Sequence, residues 1–281
     1  MKKLIPAMCL LLVSAVLMGT STFAWFTMNT TVTASGMQVN AVVPKSLVIS
    51  DASNGNYSAS HDFEMGTAQS LYPVSTDDTQ NWYAPSGLIG NKIDPTTGAA
   101  DLNTTDGTVF QSLTNWGEGT GLLTESANVY AVKKTVYVKS ADNNQQVYGL
   151  YVSSLIVNNA EINASSLNDV SKALRIAVVT TDKTLYFAPT GYDGECKPIA
   201  SISANGATAN STSLPIAAPG SGNGVLVANN QAISGETPME INIFIWYEGQ
   251  DKNANNTAAL NVQNLTIEIE FKSSLEHGNW S

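Results

Sequence analysis

Cysteine is nearly missing from this chain: Cys9 lies in an apolar N-terminal run and Cys196 stands alone in everything that follows. Once that run is removed no internal disulfide can form, so the fold must rest on a hydrophobic core. Cys196, in Gly194-Glu195-Cys196-Lys197-Pro198, reads as a turn residue rather than a reactive thiol. Histidine is equally scarce, with His61 and His277 the only imidazoles. His61 is followed by Asp62, which a strand would turn to its opposite side, and His277 sits in a terminal stretch. A serine-type catalytic site is therefore not expected. No His-Glu-x-x-His helix is written in the chain, so the usual sign of a zinc protease is missing too. Charge is sparse, at 13% of residues, and unbalanced, with 13 Lys and Arg against 23 Asp and Glu. The formal charge of −10 becomes −12 when Lys2 and Lys3 leave with the leader. Such a surface repels nucleic acid and anionic lipid. Beyond the first apolar run, no stretch approaches membrane-spanning length.

What fills the chain instead is Asn, Thr, Ser and Gly around apolar residues that make up 43% of 281. That composition suits β-sheets with long decorated loops, and the length fits one β domain. The N-terminus has the parts of a secretion signal. Lys2 and Lys3 lead into the run Leu4 to Met18, and Thr22-Phe23-Ala24 supplies the small residues a signal peptidase reads. Residues 1–24 are thus expected to be a signal peptide cut after Ala24. The run, near 15 residues, is shorter than the ~20 of a spanning helix, which favours cleavage over a retained anchor. Cys9 precedes the end of that run, which argues against a lipoprotein. The C-terminus, Glu276 to Ser281, shows neither a hydrophobic tail nor a sortase-type signal, so no tether is expected.

After Ala24 the side chains alternate. Phe26, Met28, Val32 and Ala34 share one face, with Thr27, Asn29, Thr31 and Thr33 on the other. At Ser35-Gly36 the parity flips, and Met37, Val39, Ala41 and Val43 become the apolar set. A one-residue slip turns every side chain over, so a bulge or break at Gly36 is implied. Parity alone leaves two readings open: two separable strands, or one bent strand at a sandwich corner.

Further along, His61 to Met65 reads as a short strand. Leu71 to Glu125 reads as an elaborated insertion rich in Gly, Thr, Asn and Asp. Its isolated aromatics, Trp82, Tyr83 and Trp116, are expected to pin loops to the sandwich rather than to form a sugar platform. Asn128 to Ser140 and Gln145 to Val157 both alternate and are joined by Asp142-Asn143-Asn144, a pattern that predicts a hairpin. Ser165 to Lys172 has helical spacing, and Leu174 to Thr180 with Thr184 to Phe187 predicts a second hairpin. Tyr192 to Gln231 is loop-like, with a brief strand at Val225 to Val227. Met239 to Tyr247 is apolar on both faces and is expected to be a central strand. Leu265, Ile267, Ile269 and Phe271 alternate with Thr266, Glu268, Glu270 and Lys272, as a strand with one wet face does.

The order of apolar leader, small residues, Ala24-Trp25-Phe26, a Thr/Asn-rich strand, Ala34-Ser35-Gly36 and a second alternating strand resembles the TasA/camelysin family of secreted Gram-positive biofilm-matrix fibre proteins. The close match covers roughly residues 20–43, with a weaker echo in Met239 to Glu248 and Leu265 to Phe271. The resemblance implies a jelly-roll β-sandwich, exported and trimmed by a dedicated signal peptidase. In the fibre-forming members the freed N-terminal segment becomes a strand of the next subunit. The metalloprotease activity discussed for camelysin-type relatives is not carried over, since the zinc-binding helix is not in this sequence.

The best metal candidate is the polar segment after Glu248, where Asp251, Asn253 and Asn255 echo the start of a calcium loop. The echo fails at Asn256 and Val262, where such a loop needs Gly and a bidentate Glu. A solvated turn is the expectation, with no metal and no cofactor. The glycine-rich Gly220 to Gly224 lacks the helix and Lys of a phosphate loop.

Together these readings predict an all-β, jelly-roll-like antiparallel β-sandwich with long loop insertions and at most one or two short helices. Residues 1–24 are the signal peptide, 25–43 the donor-type and first sandwich strands, and 44–281 the sandwich, with 71–125 inserted. The expected function is a non-enzymatic, secreted subunit of an extracellular fibre or biofilm matrix. Its polymerisation strand would comprise Trp25, Phe26, Met28, Val32 and Ala34, hinged at Gly36. Its partners would be copies of itself, head to tail, and the signal peptidase during export, with membrane contact only through the uncleaved leader. The alternative is a monomeric cell-surface adhesin or glycan-binding protein using the 71–125 insertion.

Overall fold

The computed structural model describes residues 38–42, 47–64, 70–85, 110–125, 128–163, 170–203, 206–220, 223–254, 260–261 and 265–274. In chain order the strands begin with β1 (Gln38–Val42), β2 (Leu47–Ser50), β3 (Ser60–Glu64), β4 (Ser70–Leu71), β5 (Pro73–Val74), β6 (Trp82–Pro85) and β7 (Phe110–Leu113). They continue with β8 (Leu122–Glu125), β9 (Asn128–Ser140), β10 (Val147–Val157), β11 (Ala160–Glu161), β12 (Leu174–Val179) and β13 (Thr184–Phe187). The last are β14 (Ile199–Ser203), β15 (Gly206–Ala209), β16 (Val225–Ile233), β17 (Met239–Glu248), β18 (Leu260–Asn261) and β19 (Thr266–Ser274). A single-turn 3₁₀ segment, Val170–Ala173, falls at the end of the stretch with helical spacing.

Alternation decides which face of each strand is buried. In β19, Ile267, Ile269 and Phe271 are buried while Glu268 is exposed, and β19 accordingly lies inside a sheet with one wet face. That sheet runs β11-β10-β19-β1-β3, with β16 also pairing with β10. A second sheet runs β13-β12-β17-β9-β2, with β8 on β9 and β5 on β17. The inner faces of the two sheets share one apolar cluster, including Val39, Ala41, Ile269 and Phe271 from the first and Val136, Ile176 and Ile243 from the second. The fold is an all-β sandwich. Each large aliphatic side chain buried there contributes about 1.5 to 3 kcal/mol.

Two pairings depart from a purely antiparallel pattern. β1 runs parallel to β19, so the first and last described strands are neighbours, and β5 runs parallel to the end of β17.

Met239 to Tyr247 is central, as its two apolar faces predict. Ile241, Ile243 and Ile245 point into the sandwich, whereas Phe244 and Trp246 point outward into a second apolar layer. That layer is built from β6, β7 and their flanks. Trp82 is 1% exposed and meets Trp246 edge-on at 5.6 Å between ring centroids, with Phe244 at 5.9 Å and Trp116 at 5.6 Å. The insertion therefore folds down on the sheet through its aromatics, as expected of Trp82 and Trp116.

The hairpin predicted for Leu174 to Phe187 forms as β12 and β13, with Ile176 opposite Phe187. The other predicted hairpin does not. β9 pairs with β17, β2 and β8, while β10 pairs with β19, β11 and β16 in the opposite sheet. The turn between them, tied by Gln145 N–H to Asp142 O at 3.1 Å, carries the chain from one sheet to the other. Alternation reports that a strand has one buried face, and both strands do: Val136 and Val138 meet the same core as Val147 and Leu150, from opposite sides. Local pattern does not say which sheet a strand joins. Two more stretches hold more strand than the sequence suggested. β16 extends the expected Val225 to Val227 through Ile233, and the loop-like region before it contains the hairpin of β14 and β15.

Candidate functional site

Residues Ser35–Ser281 form one compact unit, and β1 is the first described strand in it. β1 is held on both sides. Val39 lies opposite Ile267 and Ala41 opposite Ile269 in the parallel pairing, and Ala41 lies opposite His61 across the antiparallel one. Val39 and Ala41 are buried in the core, while on the other face the Asn40 side-chain amide donates to Asp62 Oδ1 at 2.6 Å. Where β1 begins, Gln38 stands beside Thr266, and Thr266 O accepts from Asn158 N–H at 2.9 Å. The residues assigned to polymerisation, Trp25, Phe26, Met28, Val32 and Ala34, lie outside the described residues. So do the hinge Gly36 and the cleavage residue Ala24.

Backbone edges matter for any assembly by strand addition, because an unpaired edge is a template for another strand. In the second sheet, β13 is partly covered: Tyr186 bridges to Ile216, and Ala217 N–H donates to Tyr186 O at 2.7 Å. In the first sheet, β3 is the last strand in the order, and its neighbour among the described residues is β1. β3 is short and carries His61 and Asp62, and short, charged strands at a sheet edge resist indiscriminate pairing.

The loop after β17 holds the residues of the calcium echo. Asp251 is fully buried, and its Oδ2 accepts from Arg175 Nη2 at 2.5 Å and from Asp193 N–H at 2.9 Å. Its Oδ1 accepts from the Asn253 backbone and side-chain amides, both at 2.8 Å. Both carboxylate oxygens are thus taken up by donors, and the neutralising cation is a guanidinium. Asn253 also donates to Gly191 O at 3.1 Å, and Asn255 lies outside the described residues. Among the described residues no three His, Cys, Asp or Glu side chains are grouped as metal ligands.

Arg175 is the residue that sequence reading missed, and the signal was available. It is the only arginine in the chain, and it sits inside the apolar strand Leu174-Arg175-Ile176-Ala177-Val178-Val179. A lone cation in such a strand needs a buried anion. It lies opposite Trp246, on the outward face of the sheet, and its Nη1 also donates to Lys172 O at 3.0 Å. Tyr192 stacks over it at 5.3 Å from guanidinium carbon to ring centroid. Glu248, two residues beyond Trp246, is fully buried on the same face. It accepts from the Trp246 indole at 3.0 Å, from Gln250 N–H at 3.1 Å and from Ser75. Burial pushes its pKa above the ordinary value, while these donors and Arg175 pull the other way. Ser75 accepts in turn from Ile199 N–H at 2.9 Å, so this network fastens the outer layer to the sheet.

His61 and Cys196, the imidazole and the thiol singled out in the sequence, lie at different places in the sandwich. His61 Nε2 is 3.5 Å from Asp51 Oδ2, at the sandwich edge. Cys196 is 9% exposed, and burial raises its thiol pKa, leaving the unreactive protonated form. Among the described residues no helix is long and apolar enough to cross a membrane. Set against known proteins, the chain matches no protein-family model, no curated protein and no solved structure.

Proposed function

We propose that this protein is a secreted structural subunit of an extracellular fibre or biofilm matrix, in which the segment Trp25 to Ala34 of one copy supplies a strand to the next. The observation that carries the reading is the boundary at Ser35. The compact unit starts there, next to the parity break at Gly36, and its first described strand is already paired on both sides by β19 and β3. β1 has no edge left to offer, and a segment with apolar residues on one face gains by pairing with an edge, which another copy can supply. The resemblance of residues 20–43 to the TasA/camelysin family supports the same reading and supplies the expectation of export and a jelly-roll. Head-to-tail donation whose rotation does not close builds a filament rather than a dimer.

The test is deletion of Trp25 to Ala34 from the secreted protein. The shortened protein is expected to remain folded, with an unchanged melting temperature, and to stay monomeric by light scattering where the intact protein forms filaments. Phe26→Asp together with Val32→Asp is expected to act in the same way. Normal filaments from the shortened protein would sink the reading.

A further inference from the structure

β9 is covered on its outer edge by two different strands, and they do not meet. β2 pairs with Tyr137 to Ser140 and β8 with Asn128 to Val132, so among the described residues no strand pairs with Lys133 to Val136 on that side. A cleft of about 870 Å³ opens at this gap. Its floor is Lys133, Lys134 and Thr135, and its two sides are the Gly117 to Gly121 turn and the Asp51 and His61 corner. Lys133, opposite Phe244, belongs to the outward face of the sheet, and Lys134, opposite Ile243, to the inward one. The gap therefore gathers side chains from both faces of the sheet in one place. The volume is in the range of small-ligand sites, about 300 to 1,000 Å³.

The lining has two features that narrow the ligand. First, Trp116 is half-buried, and its ring is fixed by Trp82 at 5.6 Å and Phe244 at 5.8 Å between centroids. Trp116 pins its turn, as the sequence suggests, but contrary to that reading it also lines the cleft, and its exposed part is an apolar platform already ordered before a ligand arrives. Second, the polar groups around it are mixed in kind. Asp51, Asp62 and Glu118 accept, Lys133 and Lys134 donate, and Gln80 does both. Ring hydroxyls each donate and accept, so a hydroxyl-rich ligand can use such a set. A phosphate would meet three carboxylates, and a purely apolar ligand would strand the charges.

We infer that this cleft binds an oligosaccharide, one sugar ring stacking on Trp116 and its hydroxyls engaging Gln80, Glu118 and the lysines of β9. An added peptide strand fits the gap less well. Lys133 N–H is already committed to Gly121 O at 2.6 Å, which leaves too short a run of free backbone for strand addition. Gly121, at φ 66°, holds the turn against β9 there, because a Cβ would strike Lys133 O. The inference stands apart from strand donation, since every lining residue belongs to the unit that begins at Ser35.

The test is a glycan array of neutral and acidic oligosaccharides probed with the full secreted chain, followed by calorimetry with the tetrasaccharide that gives the strongest signal. Saturable binding is expected. Gln80→Ala and Glu118→Ala, both on the exposed rim, should each weaken it by about threefold or more, and Trp116→Ala by about tenfold. Lys183→Ala, in the turn between β12 and β13, serves as the control that leaves it unchanged. An array with no saccharide bound would overturn the inference. So would binding that survives both rim substitutions, or a cleft that takes an extended peptide in preference to any sugar.

Discussion

Arg175 and Asp251 show what one ion pair costs when it is fully enclosed. The pair is not a gain over well-packed apolar residues, because both ions lose water, but removing one partner leaves the other stranded. Arg175→Ala is expected to lower unfolding stability by about 3 to 5 kcal/mol in urea, with Asp251→Ala comparable. Since Asp251 spends both oxygens on protein donors, added calcium should not rescue Asp251→Ala, and chelators should leave the intact protein's melting temperature unmoved. A melting-temperature drop on chelation that calcium reverses in the intact protein, and that Asp251→Ala abolishes, would make Asp251 a metal ligand after all.

Glu248 makes a second prediction at the same scale. Burial raises its pKa above the ordinary 4.5, so between the two values the folded protein holds a proton that the unfolded chain has released. Stability from this group is therefore complete below that ordinary value of 4.5 and is lost as pH rises through the folded pKa. Glu248→Gln should flatten that fall in a series of urea midpoints from pH 4 to pH 8. An unchanged slope would mean that the three donors around the carboxylate, and not burial, set its ionisation.

At the scale of elements, what the sequence made legible follows from periodicity. β17 and β19 were readable because each strand's pattern reports the number of its buried faces, and that pattern depends on local spacing alone. The partners of β9 and β10 were not readable. Both strands carry one apolar face, and the short polar turn between them suits a hairpin and a sheet-to-sheet crossing equally well. The solvated turn expected around Asp251 is overturned for a related reason. A carboxylate in a polar loop reads as solvated, whereas Asp251 is drawn inward by Arg175, 76 residues away in sequence. The insertion was legible at its aromatics, and a prediction belongs there. Trp82→Ala should cost about 3 to 5 kcal/mol and lift β6 and β7 from the sheet. The accompanying change would be quenching of Trp246 fluorescence by iodide, which the folded outer layer now shields. A stability loss without that quenching would mean the layer holds without its central ring.

For the whole molecule, the sandwich and the segment ahead of it pose one question. The sandwich has its own core, and β1 takes its place in the first sheet with partners on both sides. Were residues 25–34 to form the strand their alternation suggests, Phe26, Met28 and Val32 would each gain about 1.5 to 3 kcal/mol on burial, whether under their own domain or in another copy. Electron cryomicroscopy of the secreted protein under assembly conditions decides between these most directly. The account predicts that residues 25–34 of each subunit lie as a strand in the sandwich of the next, with the chain changing direction at Gly36. Filaments in which that segment folds back on its own sandwich, or in which subunits meet through any other surface, would contradict it.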